Sequence, residues 1–253
     1  MITIPFLTLL KKEVYRFMAI AVQTLVAPTI TASLYLFIFG VGLGRQIDVS
    51  SEYSFVQFVI PGLILMGVIN NTFGNISSSL FFSKYIGNIV DYFVMPLTPL
   101  QFILAHTLAS MLRGLLVGVM VWLVSMFFAP LPWFSISYAI ATVVLTSFIF
   151  SQLGIIAAIY SRTWDHLSVF MNFLIMPMVF LGGVFYPISI LSGFWKTVSL
   201  LNPVYYLVDS FRYGALGVYD TSPWISLAFS IVFSVTLCAW ATVLICKGYK
   251  IKN

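Results

Sequence analysis

Six long apolar stretches, joined by short connections, carry one charged side chain among them, Arg113. They run over residues 18–43, 56–81, 101–128, 135–160, 167–186 and 223–246, and each reaches the roughly 20 residues a helix needs to cross a bilayer. A helix pairs its own backbone polar groups, so it can lie in lipid without water. A soluble domain of this size carries about 25% charged residues, whereas this chain is 8% charged and 61% hydrophobic. The reading is an all-α polytopic membrane protein with six transmembrane helices, a single domain over residues 1–253. No internal repeat, low-complexity segment or soluble domain interrupts the pattern.

The connections add detail. In residues 1–17, Leu7, Leu10, Val14 and Phe17 fall on one helical face and Thr8, Lys11, Lys12 and Tyr15 on the other. A short basic amphipathic helix of this kind lies in the membrane interface rather than across it. The N-terminus reads as retained, because no polar small-residue cleavage region follows the first apolar run. The first span holds Pro28, and the second opens on Pro61-Gly62. Asn71, Asn75 and Ser78 share a face of the second span, which should look at protein or water rather than lipid. Residues 83–99 are too polar at their start to be a span and too apolar to be a free loop.

An even number of spans puts both termini on one side. With that side cytoplasmic, Lys11, Lys12, Arg16, Lys84, Arg162, Lys247, Lys250 and Lys252 lie inside, and Arg45, Lys196 and Arg212 outside. This asymmetry obeys the positive-inside rule. The basic residues are therefore topology signals and give no reason to expect nucleic acid. Cys238 and Cys246 lack both metal and disulfide-framework spacing, and read as small packing residues.

Absences narrow the chemistry. The chain has no Gly-x-x-x-x-Gly-Lys-Ser/Thr to cradle nucleotide phosphates and no His-Glu-x-x-His, and no cofactor is expected in it. No carboxylate falls within the six stretches, so the proton-carrying groups of a coupled carrier are missing. Arg113, roughly 18 Å along its helix at 1.5 Å per residue, forms a polar stripe with His106 and Ser110. An Arg at that depth costs at least about 2.5 kcal/mol. It should therefore contact an anionic headgroup or phosphate, or else anchor to helix-end carbonyls or snorkel toward the cytoplasm. An intramembrane transferase would need a polar catalytic cluster, for which Arg162, Asp165 and His166 are the candidates. A non-transporting assembly subunit is the other alternative.

The region from Gly182 to Arg212 breaks the pattern of spans. Apolar residues recur at Ile188, Leu191, Trp195 and Val198, which is helical spacing. Asn202-Pro203 interrupts, since Pro disfavours helix for the residue before it. A second helix follows, with Tyr205, Asp209 and Arg212 on one face and Val204, Leu207, Val208 and Phe211 on the other. Each piece is too short to span. Together, over residues 188–216, they can dip into one leaflet and return if protein covers the break.

Gly182-Gly183-x-Phe185-Tyr186-Pro187, followed by Asn202-Pro203-x-x-Tyr206-x-x-Asp209-x-x-Arg212, resembles the signature of the permease subunit of type-2 ATP-binding-cassette (ABC) exporters. The likeness extends to Pro61-Gly62 and to Gly87 followed by Pro96-Leu97-x-Pro99. It implies two re-entrant helices between spans five and six. It also implies a cytoplasmic coupling helix between spans two and three, with Lys84, Tyr85, Gly87, Asp91, Pro96 and Pro99 at the ATPase contact. Family members often place several charges before that glycine, where this chain has Lys84 alone. The resemblance further implies a bacterial inner-membrane homodimer paired with two copies of a separate ATPase that brings ATP and Mg. Such a machine exports an amphipathic substrate: a lipid, a lipid-linked glycan or a hydrophobic drug. Asn71, Asn75, Ser78, His106, Ser110 and Arg113 are the candidate path-lining residues.

Overall fold

The structure is a computed structural model that describes residues 4–43, 53–89 and 96–248. All regular structure among the described residues is helical. Asp91, Arg45, Lys250 and Lys252 lie outside those residues, as does the 90–95 stretch of the expected coupling helix.

Helix α1 spans Ile4–Met18, and a bend of 74° separates it from the next segment, Val22–Phe37. That segment is a π turn, Val22–Val26, running into α2, Ala27–Phe37. Pro28 explains the widened turn: it has no N–H to close an i→i−4 bond, and its ring crowds the preceding turn. The same device recurs later, where α6, Trp164–Val169, passes through a π turn into α7, Met176–Phe180, which carries Pro177.

Between these broken segments stand the long helices. Helix α3, Phe55–Tyr85, starts at a capping box in which the Ser54 side chain accepts from the Gln57 backbone and Gln57 reciprocates. Helix α4, Pro99–Ser125, repeats the device with Thr98 and Gln101, and Pro99 takes the first turn, where its missing N–H is harmless. Helix α5 covers Ile136–Tyr160. After the 181–187 turn come a 3₁₀ turn at Ile188–Ile190, α8 at Gly193–Leu200, α9 at Pro203–Leu216 and α10 at Pro223–Cys246.

Helix α3 is the axis of the molecule: α4 and α5 pack along it, α1 lies on α4, and α9 is wedged among α3, α5 and α10. Small residues make the close approaches possible. Gly114 and Gly118 of α4 face Thr72 and Val68 of α3, and a Cβ at Gly62 would lie 2.7 Å from the Val184 carbonyl oxygen.

Helices α3, α4, α5 and α10 are long and apolar enough to cross a membrane, and the bent pair of α1 with Val22–Phe37 brings the number to five if it is one span. The sequence expectation is six. The difference lies in the first and fifth stretches: the first counts only together with α1 across the bend, and the fifth, Trp164–Phe180, is one apolar helix that falls short of 18 residues.

Three local expectations change. In α1 the buried positions are Leu9, Glu13 and Phe17, whereas Leu7 is exposed; the buried face combines two apolar side chains with the hydrogen-bonded Glu13. The first short helix starts at Gly193 rather than Ile188, because Gly193 adopts φ +58° at its start. Helix α9 is not two-faced: Val204, Tyr205, Leu207, Asp209, Phe211 and Arg212 are all buried, because neighbours enclose it.

Candidate functional site

A polar cluster ties α1, α3 and α4 together, with Glu13 at its centre. Glu13 Oε2 accepts from Arg16 Nε at 3.0 Å and from Ser79 Oγ at 2.6 Å. His106 Nδ1 lies 3.7 Å from the same oxygen. Arg16 Nη2 donates to the Asn75 backbone oxygen at 3.0 Å and to Asn75 Oδ1 at 2.8 Å. Arg113 donates from Nη1 to Asn75 Oδ1 at 3.3 Å and from Nη2 to Asn71 Oδ1 at 3.2 Å. Helical periodicity makes the assembly possible: Asn71, Asn75 and Ser79 lie one turn apart on α3, and Glu13 and Arg16 are i, i+3 on α1.

Of the six residues expected to line a path, four join this cluster and two do not. Ser78 turns back to its own helix, donating to the Gly74 carbonyl at 2.6 Å. Ser110 faces α5 and pairs with Ser151 Oγ at 3.2 Å, beside the bond from Gln152 Nε2 to Thr107 Oγ1 at 3.1 Å. Sequence reasoning missed Glu13 and took Arg16 for a topology charge. The available signal was an i, i+3 acid–base pair just ahead of buried Phe17.

One side of the cluster opens on a cavity of about 500 Å³. Gln23 and Thr31 line it from the bent first segment, Asn70 and Asn71 from α3, Arg113 from α4 and Met176 from α7. A second cavity, about 390 Å³, lies among α3, α4, α5 and α9 and is walled by Trp122, Trp133 and Phe211. Its lining is apolar, so the polar chemistry belongs to the first.

The signature residues are structural joints. Gly183 takes φ +75°, a left-handed conformation that suits glycine. Gly182 sits against Val204, leaving no room for a side chain. Phe185 stacks with Phe39 and Phe180, and half-buried Tyr186 and Pro187 complete the turn. Asn202 caps α9 by accepting from Val204 N at 3.0 Å and donates to the Met178 carbonyl at 2.6 Å, with Pro203 at the first helical position. Tyr206 Oη donates to the Leu200 carbonyl at 2.9 Å, tying α9 to α8. Arg212 Nη2 donates to the Gly183 carbonyl at 2.6 Å, and its guanidinium lies 3.9 Å from the Phe58 ring centre. Asp209 accepts from the backbone N–H groups of Asp220 at 2.8 Å and Thr221 at 3.0 Å. Burial pushes its carboxyl above the usual carboxylate range, against the pull of those two donors and of Arg212.

At the other end of α3, Lys84 Nζ donates to the Ile159 carbonyl at 2.8 Å and the Ser161 carbonyl at 3.0 Å. A cation there neutralises the C-terminal end of the α5 dipole. Tyr85 is exposed and stacks on Phe81, while Phe82 meets Trp164 at 5.1 Å. Gly87 follows at φ +87°, ending the helix. Pro96 is exposed, and Pro99 opens α4. Arg162, Asp165 and His166 are all exposed at the short turn into α6, where Thr163 Oγ1 accepts from His166 N at 3.3 Å. They form a solvated helix start, not an enclosed cluster.

Comparison with known proteins covers nearly all of these elements. The family model for "ABC-2 type transporter" matches residues 5–216. The chain is 38% identical over 234 residues to the inner membrane transport permease YadH of Escherichia coli K12, covering 92% of this chain and 91% of the relative. It is 24% identical over 180 residues to nodulation protein J of Azorhizobium caulinodans, covering 71% of each. Against nodulation protein J of Rhizobium leguminosarum bv. viciae the identity is 22% over 187 residues, 73% of this chain and 71% of the relative.

Proposed function

Because this chain belongs to the ABC-2 type transporter family, we propose that it is the permease half of an ATP-driven exporter. In this reading two copies form the path in a bacterial inner membrane, each with six spans and cytoplasmic termini. Two separate ATPase subunits supply ATP and Mg. The substrate is amphipathic: a lipid, a lipid-linked glycan or a hydrophobic drug. Multi-pass membrane placement follows from the apolar helices; direction, copy number and substrate belong to the proposal.

The family match, running from α1 through α9, carries this reading. The structure suits a division of labour. The cavity beside Arg113 supplies a polar path with apolar walls. Exposed Phe82, Tyr85, Ile86 and Trp164 supply a grip for a soluble motor at the other end of α3. A patch of large apolar and aromatic groups beside the last turn of a spanning helix suits a protein partner. The bent first segment then lets α1 lie at an angle to the spans, as an interfacial helix would. Helices α8 and α9, too short to cross, fit a re-entrant pair held by Asn202 and Arg212.

The test is co-purification. The tagged chain extracted in mild detergent should bring an ATPase subunit with it, and Tyr85→Ala combined with Gly87→Pro should release that subunit. A chain that purifies alone, with no nucleotide-dependent transport in any pairing, would overturn the proposal.

A further inference from the structure

The polar cluster is unbalanced in charge. Among the described residues its members include one carboxylate, Glu13, facing two guanidinium groups, Arg16 and Arg113, which stay protonated. Arg16 is well satisfied, with three short bonds to Glu13 and Asn75. Arg113 is not. Its contacts are 3.2 and 3.3 Å, long against the ~2.7–2.9 Å of a charge-assisted bond, and both acceptors are neutral amides. Its Nε, buried, has no hydrogen-bond partner, and neither has Oδ1 of Asn70 on the same cavity wall.

A cation held loosely by neutral amides, at the edge of a cavity of about 500 Å³, is chemically incomplete. Met66, Met171, Met176 and Leu63 form the apolar part of the same wall. We propose that this cavity binds an anionic head group, phosphate or carboxylate, that carries a neighbouring hydroxyl and an apolar tail. A small swing of the Arg113 guanidinium turns its Nε and Nη edge to the anion, and charge-assisted bonds replace the long amide contacts. Asn70 Oδ1 accepts from the hydroxyl, and the methionines, being flexible and polarizable, adapt to the tail. The inference deepens the permease reading by naming the charge of the substrate class, and rests on that reading for the role of the cavity as a path.

The test needs no ATPase, so it can fail independently of the permease assignment. The full chain in detergent is titrated with phosphatidylglycerol, phosphatidylcholine and inorganic phosphate, and bound lipid is counted by native mass spectrometry. Phosphatidylglycerol should bind about ten-fold more tightly than phosphatidylcholine, the scale of one added charge-assisted contact, and Arg113→Gln should erase the preference. Asn70→Ala, which leaves the Arg113 bonds in place, should weaken phosphatidylglycerol binding alone and covers the case in which Arg113→Gln fails to fold. If inorganic phosphate competes at equal affinity, the site is an anion site whose source is a free ion rather than a lipid. Equal binding of the two lipids, or a preference that survives Arg113→Gln, would overturn the proposal.

Discussion

Glu13 and Arg113 show how much a single side chain decides in an apolar molecule. Glu13 is buried, accepts from Arg16 and Ser79 and lies beside His106, so removing its charge leaves Arg16 with only neutral acceptors. Glu13→Gln should lower stability by about 2–3 kcal/mol, less than the loss for a fully buried pair because Arg16 is 32% exposed. Unfolding of the purified chain in mixed detergent micelles reads this directly; an unchanged transition would mean the cluster is not holding α1. Asn202 is a second such residue, since one amide both caps α9 and reaches the Met178 carbonyl. Asn202→Ala removes both bonds and should cost about 2 kcal/mol, whereas Asn202→Asp keeps the cap alone and should cost less. The same unfolding assay separates the two.

Among elements, α9 ties the turns on either side of it to the bundle. Arg212 fastens it to the Gly183 turn and to Phe58 of α3, and Asp209 holds the 220–221 turn that leads into α10. Asp209→Ala should therefore loosen the start of α10 rather than α9 itself, by about 2 kcal/mol for two buried bonds to a carboxylate. Limited proteolysis should show new cleavage near residues 218–222 and none within α9. Helix contacts through glycine give a sharper case. Gly62→Leu would drive a side chain into the backbone of Val184, and overpacking of this kind costs about 1–3 kcal/mol. The turn at 182–187 should then separate from α3, seen as increased labelling of a cysteine placed at Phe185.

For the molecule as a whole, the two cavities divide the work between polar and apolar chemistry. The polar one adjoins the bent first segment, α3, α4 and α7; the apolar one lies among α3, α4, α5 and α9. If the permease proposal holds, Arg113→Gln should reduce transport by a reconstituted complex about ten-fold or more, while leaving binding of the ATPase subunit intact. Tyr85→Ala with Gly87→Pro should show the reverse, with the cavity's lipid binding intact and the motor lost. Measuring transport and subunit retention side by side distinguishes the cavity at the middle of α3 from the apolar patch at its C-terminal end.

Helical class and the long apolar helices were legible in the sequence because lipid enforces one rule everywhere: cover the backbone, expose apolar side chains. The uncharged runs at 135–160 and 223–246 state that rule without ambiguity, and Asn202-Pro203 marks a helix start through local sterics and hydrogen bonding alone. Burial of Glu13 was not legible, because residues 13, 75, 79 and 106 meet only once three helices have packed. Nor was the all-round burial of α9, since its periodic pattern names faces but not how many neighbours will cover them. Local chemistry written along one chain determined which segments are helical; the geometry of several helices closing on each other decided which polar groups share a site.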